Sequence, residues 1–394
     1  MTTILKTIKG DKVIWVVVIL LSIVSLLAVY SSSGMLAFRK QGGNTEYYLY
    51  KQFFLLLFGF ILMYVTHLIR YTYFSRISQI GLILAIGLLI YTMLHAENIN
   101  NSRRWDEIFG ISYQSSDIVK LFLIMYIARA LSKKQDKVHN FKSGFLPVIL
   151  PVFLACALIL RDNFSTAAIL FVTCLILMFI GRINIWFIFS VIGLGIVAVA
   201  LIFVLAKAFP EVFPRGDTWV NRIEIYFNGE KASKDAVYQV TQSKIAIASG
   251  GVFGKSPGKS TQKNFLPHPE SDFIYAIIIE EYGIVGGGFV VLLYCILFFR
   301  VVRIAMKCKG SFGTFVTIGI GFSLVFQALI NMAVTVNLFP VTGQTLPLIS
   351  MGGTSIWLTS IAIGIILSVS RDTEIETKDG TEVEVLGERQ AVPA

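Results

Sequence analysis

Apolar residues in this chain gather into long unbroken runs instead of alternating or recurring at helical spacing. Ten such runs stand near residues 13–33, 48–68, 78–95, 117–131, 145–160, 165–181, 183–206, 272–303, 312–338 and 350–370. About 20 apolar residues cross the hydrocarbon core of a bilayer as a helix. Each run therefore predicts a membrane span, and the fold class is all-α, a polytopic integral membrane protein. The run at 272–303 is too long for one untilted span, and Gly283 with Gly286–Gly288 predicts a break or close packing inside it.

The polar intervals complete the layout. Most are short, but 207–271 is a large loop whose Pro210, Pro214, Gly216 and GKSPGKSTQKNFLPHPESD stretch predict turns and irregular backbone. The segment after Arg371 is acidic and lacks apolar periodicity. It predicts a disordered tail over 372–394, with 1–371 as the membrane domain. Lys6, Lys9 and Lys12 precede the first run as in a signal peptide. That run is long, lacks a small-residue cleavage site and is followed by further spans, so it predicts an uncleaved helix.

Basic residues on short loops set orientation, because Lys and Arg accumulate on the cytoplasmic side. Lys6, Lys9, Lys12, Arg70, Arg76, Lys133, Lys134, Lys137, Lys142, Arg182, Arg303, Lys307, Lys309 and Arg371 fall on one side; Arg39, Lys40, Arg103, Arg104 and Arg161 fall on the other. Both termini are then cytoplasmic and the 207–271 loop is extracytoplasmic. Composition agrees: 55% of the 394 residues are hydrophobic, 15% are charged, and mean hydropathy is +0.72. The net charge of +10 would suggest nucleic acid in a soluble chain; here the cytoplasmic loops account for it, and no nucleic-acid partner is expected. Cys156, Cys174, Cys295 and Cys308 lie in or beside apolar runs without a CxxC pair, which argues against a disulfide framework or zinc site.

No Walker loop, HExxH, GxSxG or dinucleotide fingerprint is present. The informative residues are ionisable groups at the outer ends of spans, where a charge is costly unless it faces a cavity or partner. Arg103 and Arg104, in Asn101-Ser102-Arg103-Arg104-Trp105, offer planar forks suited to phosphate oxygens, or simple interfacial anchoring. In Gln114-Ser115-Ser116-Asp117-Ile118-Val119-Lys120, either serine suits a helix cap, while Asp117 and Lys120 share a face. Asp162, in the outer turn Arg161-Asp162-Asn163-Phe164-Ser165-Thr166, is a candidate partner for Lys120. Asp272 stands where the outer loop becomes an apolar helix, and capping is its bland explanation. Glu280 lies about 80° from it on a continuous helix, so only Glu280 of the pair Glu280-Glu281 could share its cavity. His268 is a candidate substrate contact among the polar groups of the loop.

At these residues the chain resembles the SEDS family (shape, elongation, division and sporulation), polytopic glycosyltransferases that polymerise peptidoglycan. The resemblance covers about residues 13–371 through NSRRW, QSSDIVK, RDNFSTA, QSKIAIASGGVFGKSPGKSTQKNFLPHPESDFIYAIIIEEYG and NLFPVTGQTLPLISMGGTS. The double arginine and the last two motifs are more like the division member than the elongation member. Gln114-Ser115-Ser116-Asp117 departs from the family's Gln-Pro-Ser-Glu, the 160–166 turn carries one extra residue, and Met351 replaces a tyrosine. The resemblance implies Asp272 as the catalytic acidic residue. It implies Arg103 and Arg104 as diphosphate ligands, and Asp117, Lys120, Asp162, Glu280, Lys255, His268 and Ser350 as cavity supports. It also implies lipid II as substrate in the bacterial cytoplasmic membrane, in septal wall synthesis. Implied partners are a class B penicillin-binding protein, other division proteins and membrane lipid. No tightly bound cofactor is expected, although a divalent cation such as Mg2+ or Mn2+ suits the diphosphate. The alternatives are an elongation-type polymerase, a lipid II flippase and a scaffold of the division complex.

Overall fold

A computed structural model describes residues 9–96, 105–108, 111–208 and 234–390, together with Gly216, Arg222 and Tyr226. The chain is nearly all helical. In order, α1 (Lys12–Ser32), α2 (Gly34–Gln41), α3 (Thr45–Leu68) and α4 (Tyr71–His95) precede a hairpin of β1 (Trp105–Ile108) and β2 (Ile111–Gln114). Then follow α5 (Ser115–Lys133), α6 (Leu146–Asp162), α7 (Phe164–Ile180), α8 (Ile185–Ala208), α9 (Lys234–Gly250), α10 (Ile274–Lys307), α11 (Ser311–Thr335) and α12 (Gly353–Gln390). Every predicted span falls on one of these helices. Among the described residues, seven helices are long and apolar enough to cross a membrane, while Phe164–Ile180 and Ile185–Leu201 are shorter apolar helices.

Three features depart from the expected layout. The strands pair antiparallel, Trp105 opposite Gln114 and Ile108 opposite Ile111, ahead of α5. The large 207–271 loop contains a helix, α9, packed on α10. The segment past Arg371 continues α12 to Gln390 instead of leaving it as a disordered tail.

The bundle has an apolar surface as well as an apolar core, and its sparse polar side chains are gathered inside. On α1, Val16, Ile19, Ile23 and Leu27 are exposed while Ser22 and Ser25 are buried. Gln52, Ser78, Thr92, Thr173 and Thr317 are likewise buried. Lipid accepts apolar side chains on the outside, so the protein interior collects the polar ones that lipid would reject. At one end of the bundle Asp11 caps α1 and holds Arg300 of α10, with Oδ2 2.6 Å from Nη2. α11 sits centrally against α5, α7, α10 and α12.

The predicted interruption of the 272–303 run is real. Gly283 has φ 70° and ψ −173°, a conformation reserved for glycine, and it splits α10. The backbone after α9 fills the break. Lys255 N donates to Glu280 O at 2.9 Å and Ser256 N to Glu281 O at 3.1 Å, while Ile284 N donates to Gly251 O at 3.0 Å. A Cβ on Gly283 would overlap Val252 O. Non-helical backbone at such a depth persists where protein satisfies its polar groups, and here the loop does so.

Candidate active site

Helix alternation brings the starts of α5, α7, α10 and α12 and the ends of α6 and α11 to one end of the bundle. There the chain between α11 and α12 crosses the site without regular structure, and side chains from several elements take its carbonyls. Asn331 Nδ2 donates to Gln344 O (2.6 Å), Gln327 Nε2 to Thr345 O (3.0 Å) and Ser25 Oγ to Ile349 O (2.8 Å). Tyr294 OH donates to Pro347 O, and Arg222 Nη1 to Thr342 O at 3.4 Å. Ser350 is buried, accepts from Leu346 N (2.8 Å) and donates to Ser271 O (2.6 Å). Its role here is to fasten this segment beside Asp272.

Asp272 is half-buried and precedes α10. The N-cap is Phe273, which makes no side-chain cap bond, so capping does not explain the carboxylate. Ser271 Oγ donates to Asp272 Oδ1 at 3.3 Å, and Asn331 Nδ2 donates to the Asp272 carbonyl at 3.0 Å. Beneath it Ala246, Leu266, Phe273, Ala276 and Ile277 form a small apolar cluster with Val341 against it. Gly343, at φ 66°, faces the carboxylate: a Cβ there would lie 3.5 Å from Oδ2. Glycine thus brings bare backbone up to the acid.

The other predicted site residues divide. Ser115 and Ser116 lie inside α5, and Gln114 is its N-cap without a cap bond. Asp117 and Lys120 pair at 3.3 Å, and Lys120 Nζ also donates to Gln327 Oε1 at 2.8 Å. These two groups take the place expected for Asp162, which ends α6 and has partners of its own. The extra residue in that turn is absorbed by Asn163. It leaves the helical region at φ −149° and ψ 85° and caps α7 through Thr166 N at 3.2 Å. Gln344 Nε2 binds Thr166 Oγ1 at 2.9 Å, joining this turn to the segment around Gly343. His268 is in the left-handed region with an exposed ring 3.8 Å from Glu270 Oε1. Arg103 and Arg104 lie outside the described residues.

Glu280 does not share a cavity with Asp272. It is fully buried and accepts from Lys255 Nζ (2.7 Å), Thr261 Oγ1 (2.9 Å), Thr261 N (3.1 Å), Gln262 N (3.2 Å) and Ser260 Oγ. Glu281 accepts from Ser260 N at 3.2 Å and from Ser31 Oγ. The adjacent glutamates, with Lys255, clasp the 255–262 loop onto the broken helix. Among the described residues no group of three or more His, Cys, Asp and Glu gathers.

Sequence reading missed Asn331, Gln327, Gln344, Ser25 and Gln52. Gln52 Nε2 holds Ser25 Oγ at 2.8 Å. The available signal was an amide side chain inside an apolar run, with Gln327 and Asn331 one turn apart. Next to the site, α6, α7 and α8 border an apolar groove of about 1300 Å³ that includes Phe164 and Phe171, with Arg161 on its lining.

The helices and this end-on polar site define a polytopic membrane protein with a non-helical segment folded into its bundle. Residues 11–375 match the family described as cell cycle protein, the FtsW/RodA/SpoVE family, and the chain belongs to it. It is 32% identical over 376 residues to stage V sporulation protein E of Bacillus subtilis strain 168, covering 94% of this chain and 99% of that protein. It is 33% identical over 379 residues to the probable peptidoglycan glycosyltransferase FtsW of Coxiella burnetii, again covering 94% and 99%. The fold is shared with Thermus thermophilus rod shape determining protein RodA (TM-score 0.67, 20% identity, 93% of this chain and 99% of that chain). It is also shared with a chain from a structure described as "Structural coordination of polymerization and crosslinking by a peptidoglycan synthase complex" (TM-score 0.69, 22% identity, 92% and 98%).

Proposed function

We infer that this chain is a peptidoglycan glycosyltransferase that polymerises lipid II at the outer face of the cytoplasmic membrane. The observation that carries the reading is the Asp272 carboxylate. It stands half-exposed where polar loop meets membrane helix, free of a capping role and faced by the backbone of Gly343. The 4-hydroxyl of an incoming disaccharide attacks the anomeric carbon of the lipid-linked glycan, and Asp272 accepts its proton. The bond to the diphosphate breaks, and the lipid diphosphate leaves with that electron pair. Inversion at the anomeric carbon turns the α-linked donor into a β-linked strand. Arg103 and Arg104 are the candidate ligands for the leaving diphosphate, and the groove beside α7 suits a polyprenyl tail.

The family likeness supports a division role in septal wall synthesis. The synthase complex among its structural neighbours supports a transpeptidase partner, here a class B penicillin-binding protein. The test is purified protein, with that partner, in liposomes containing lipid II. Glycan ladders are expected, and lipid II translocation without polymer would overturn the reading.

The ten-span topology with an outer active site has its own test. In a background lacking Cys156, Cys174, Cys295 and Cys308, single cysteines replacing Asn228 and Lys134 are expected to label from outside and inside respectively. Labelling of both from one face would remove the outer site.

A further inference from the structure

Asn331 is an uncharged residue, 2% exposed, in the last turns of α11, and the acid–base chemistry does not use it. Its Nδ2 bonds two carbonyls at once: that of Asp272 at 3.0 Å and that of Gln344 at 2.6 Å. Only the amide nitrogen offers two donors, so the orientation of the side chain is fixed by its partners. Its Oδ1 is buried without a hydrogen-bond partner among the described residues, an arrangement kept despite its cost. The two carbonyls belong to the residue bearing the candidate base and to the neighbour of Gly343, whose backbone faces that base. One turn earlier, Gln327 links Lys120 to Thr345 O in a parallel way.

We propose that Asn331 is a positioning residue, whose amide fork sets the distance and angle between the Asp272 carboxylate and the Gly343 backbone where the acceptor sugar enters. The inference rests on the reading of Asp272 as the base. A side chain that merely filled space at this point would not have to join these two strands, and loss of the fork would not single out the chemical step.

Asn331→Asp keeps the size but points a carboxyl oxygen at the two carbonyls in place of the NH2. With the partner present, it is expected to lower kcat of polymerisation at least tenfold while KM for lipid II stays within threefold. Asn331→Ser keeps one donor and is the milder change. It is expected to lower kcat at least threefold, again without a change in KM, and it decides the question if Asn331→Asp does not purify as a monodisperse protein. Ser368→Ala is the control: it removes a buried bond to Ile69 O at the end of the bundle opposite Asp272, and is expected to lower Tm but not kcat. Wild-type kcat in the Asn331 variants, a loss carried by KM, or a kcat loss no greater than that of Ser368→Ala at equal folded fraction would overturn the proposal. Asp272→Asn is measured beside them. If that variant stays active, the catalytic reading fails; if it is inactive while the Asn331 variants keep kcat, only the positioning role fails.

Discussion

Asp272→Asn is expected to abolish glycan polymerisation, with a fall of about 10²–10⁴ in kcat, the range a positioned general base contributes. The substitution preserves size and leaves the carbonyl that Asn331 holds, so the local backbone has no reason to move. It removes the negative charge and with it the ability to accept a proton. Because Phe273, not Asp272, is the N-cap of α10, the variant is expected to insert and melt like the wild type. The comparison is polymer yield from purified protein alongside its thermal unfolding. Substantial activity in a normally folded Asp272→Asn protein would move the base elsewhere.

The second large effect belongs to stability. Glu280→Ala removes a fully buried carboxylate and leaves Lys255 together with donors from Ser260, Thr261 and Gln262 without their acceptor. Breaking a buried ion pair from one side typically costs about 3–5 kcal/mol. The lower part of that range applies, because Lys255 is 31% exposed and can turn to water. The loop it clasps also seals the break at Gly283, so the damage is expected to spread along α10. The Tm in detergent should fall by several degrees, and trypsin should cut at Lys255, Lys259 or Lys263 under conditions that spare the wild type. An unchanged Tm and digestion pattern would show that the clasp is dispensable. Glu280→Gln, which keeps one acceptor oxygen, is expected to fall between the two.

Much of this architecture was legible in the sequence for a simple reason: membrane helices announce themselves by length and apolarity, without needing periodicity. Gly283 announced the break because no other residue takes its φ. Other features were hidden by the same physics. The inner faces of the helices could not be read from apolar pattern, since lipid and core are equally apolar, and the informative residues were the sparse Ser, Thr, Asn and Gln. α9 was concealed in a polar loop because it packs on α10 with a small apolar face. Glu280 was misjudged because its angle on the helix was considered without the loop backbone, whose free N–H groups claim it. Of the two carboxylates that Lys120 could meet by sequence, Asp117 is its partner, while Gln327, distant in sequence, carries no charge to draw attention to it.

The segment between α11 and α12 also joins parts of the chain that are made at different times. Its Ile349 carbonyl depends on Ser25, 324 positions earlier, while others depend on Tyr294, Gln327 and Asn331. A ribosome feeding this protein into the membrane delivers Ser25 among the first residues and the segment it must meet near the end. Until that contact forms the Ile349 carbonyl lacks its partner, whereas Tyr294, Gln327 and Asn331, made shortly before the segment, can already hold Pro347, Thr345 and Gln344. The segment is thus fastened in two steps, a local one against α10 and α11 and a long-range one back to α1.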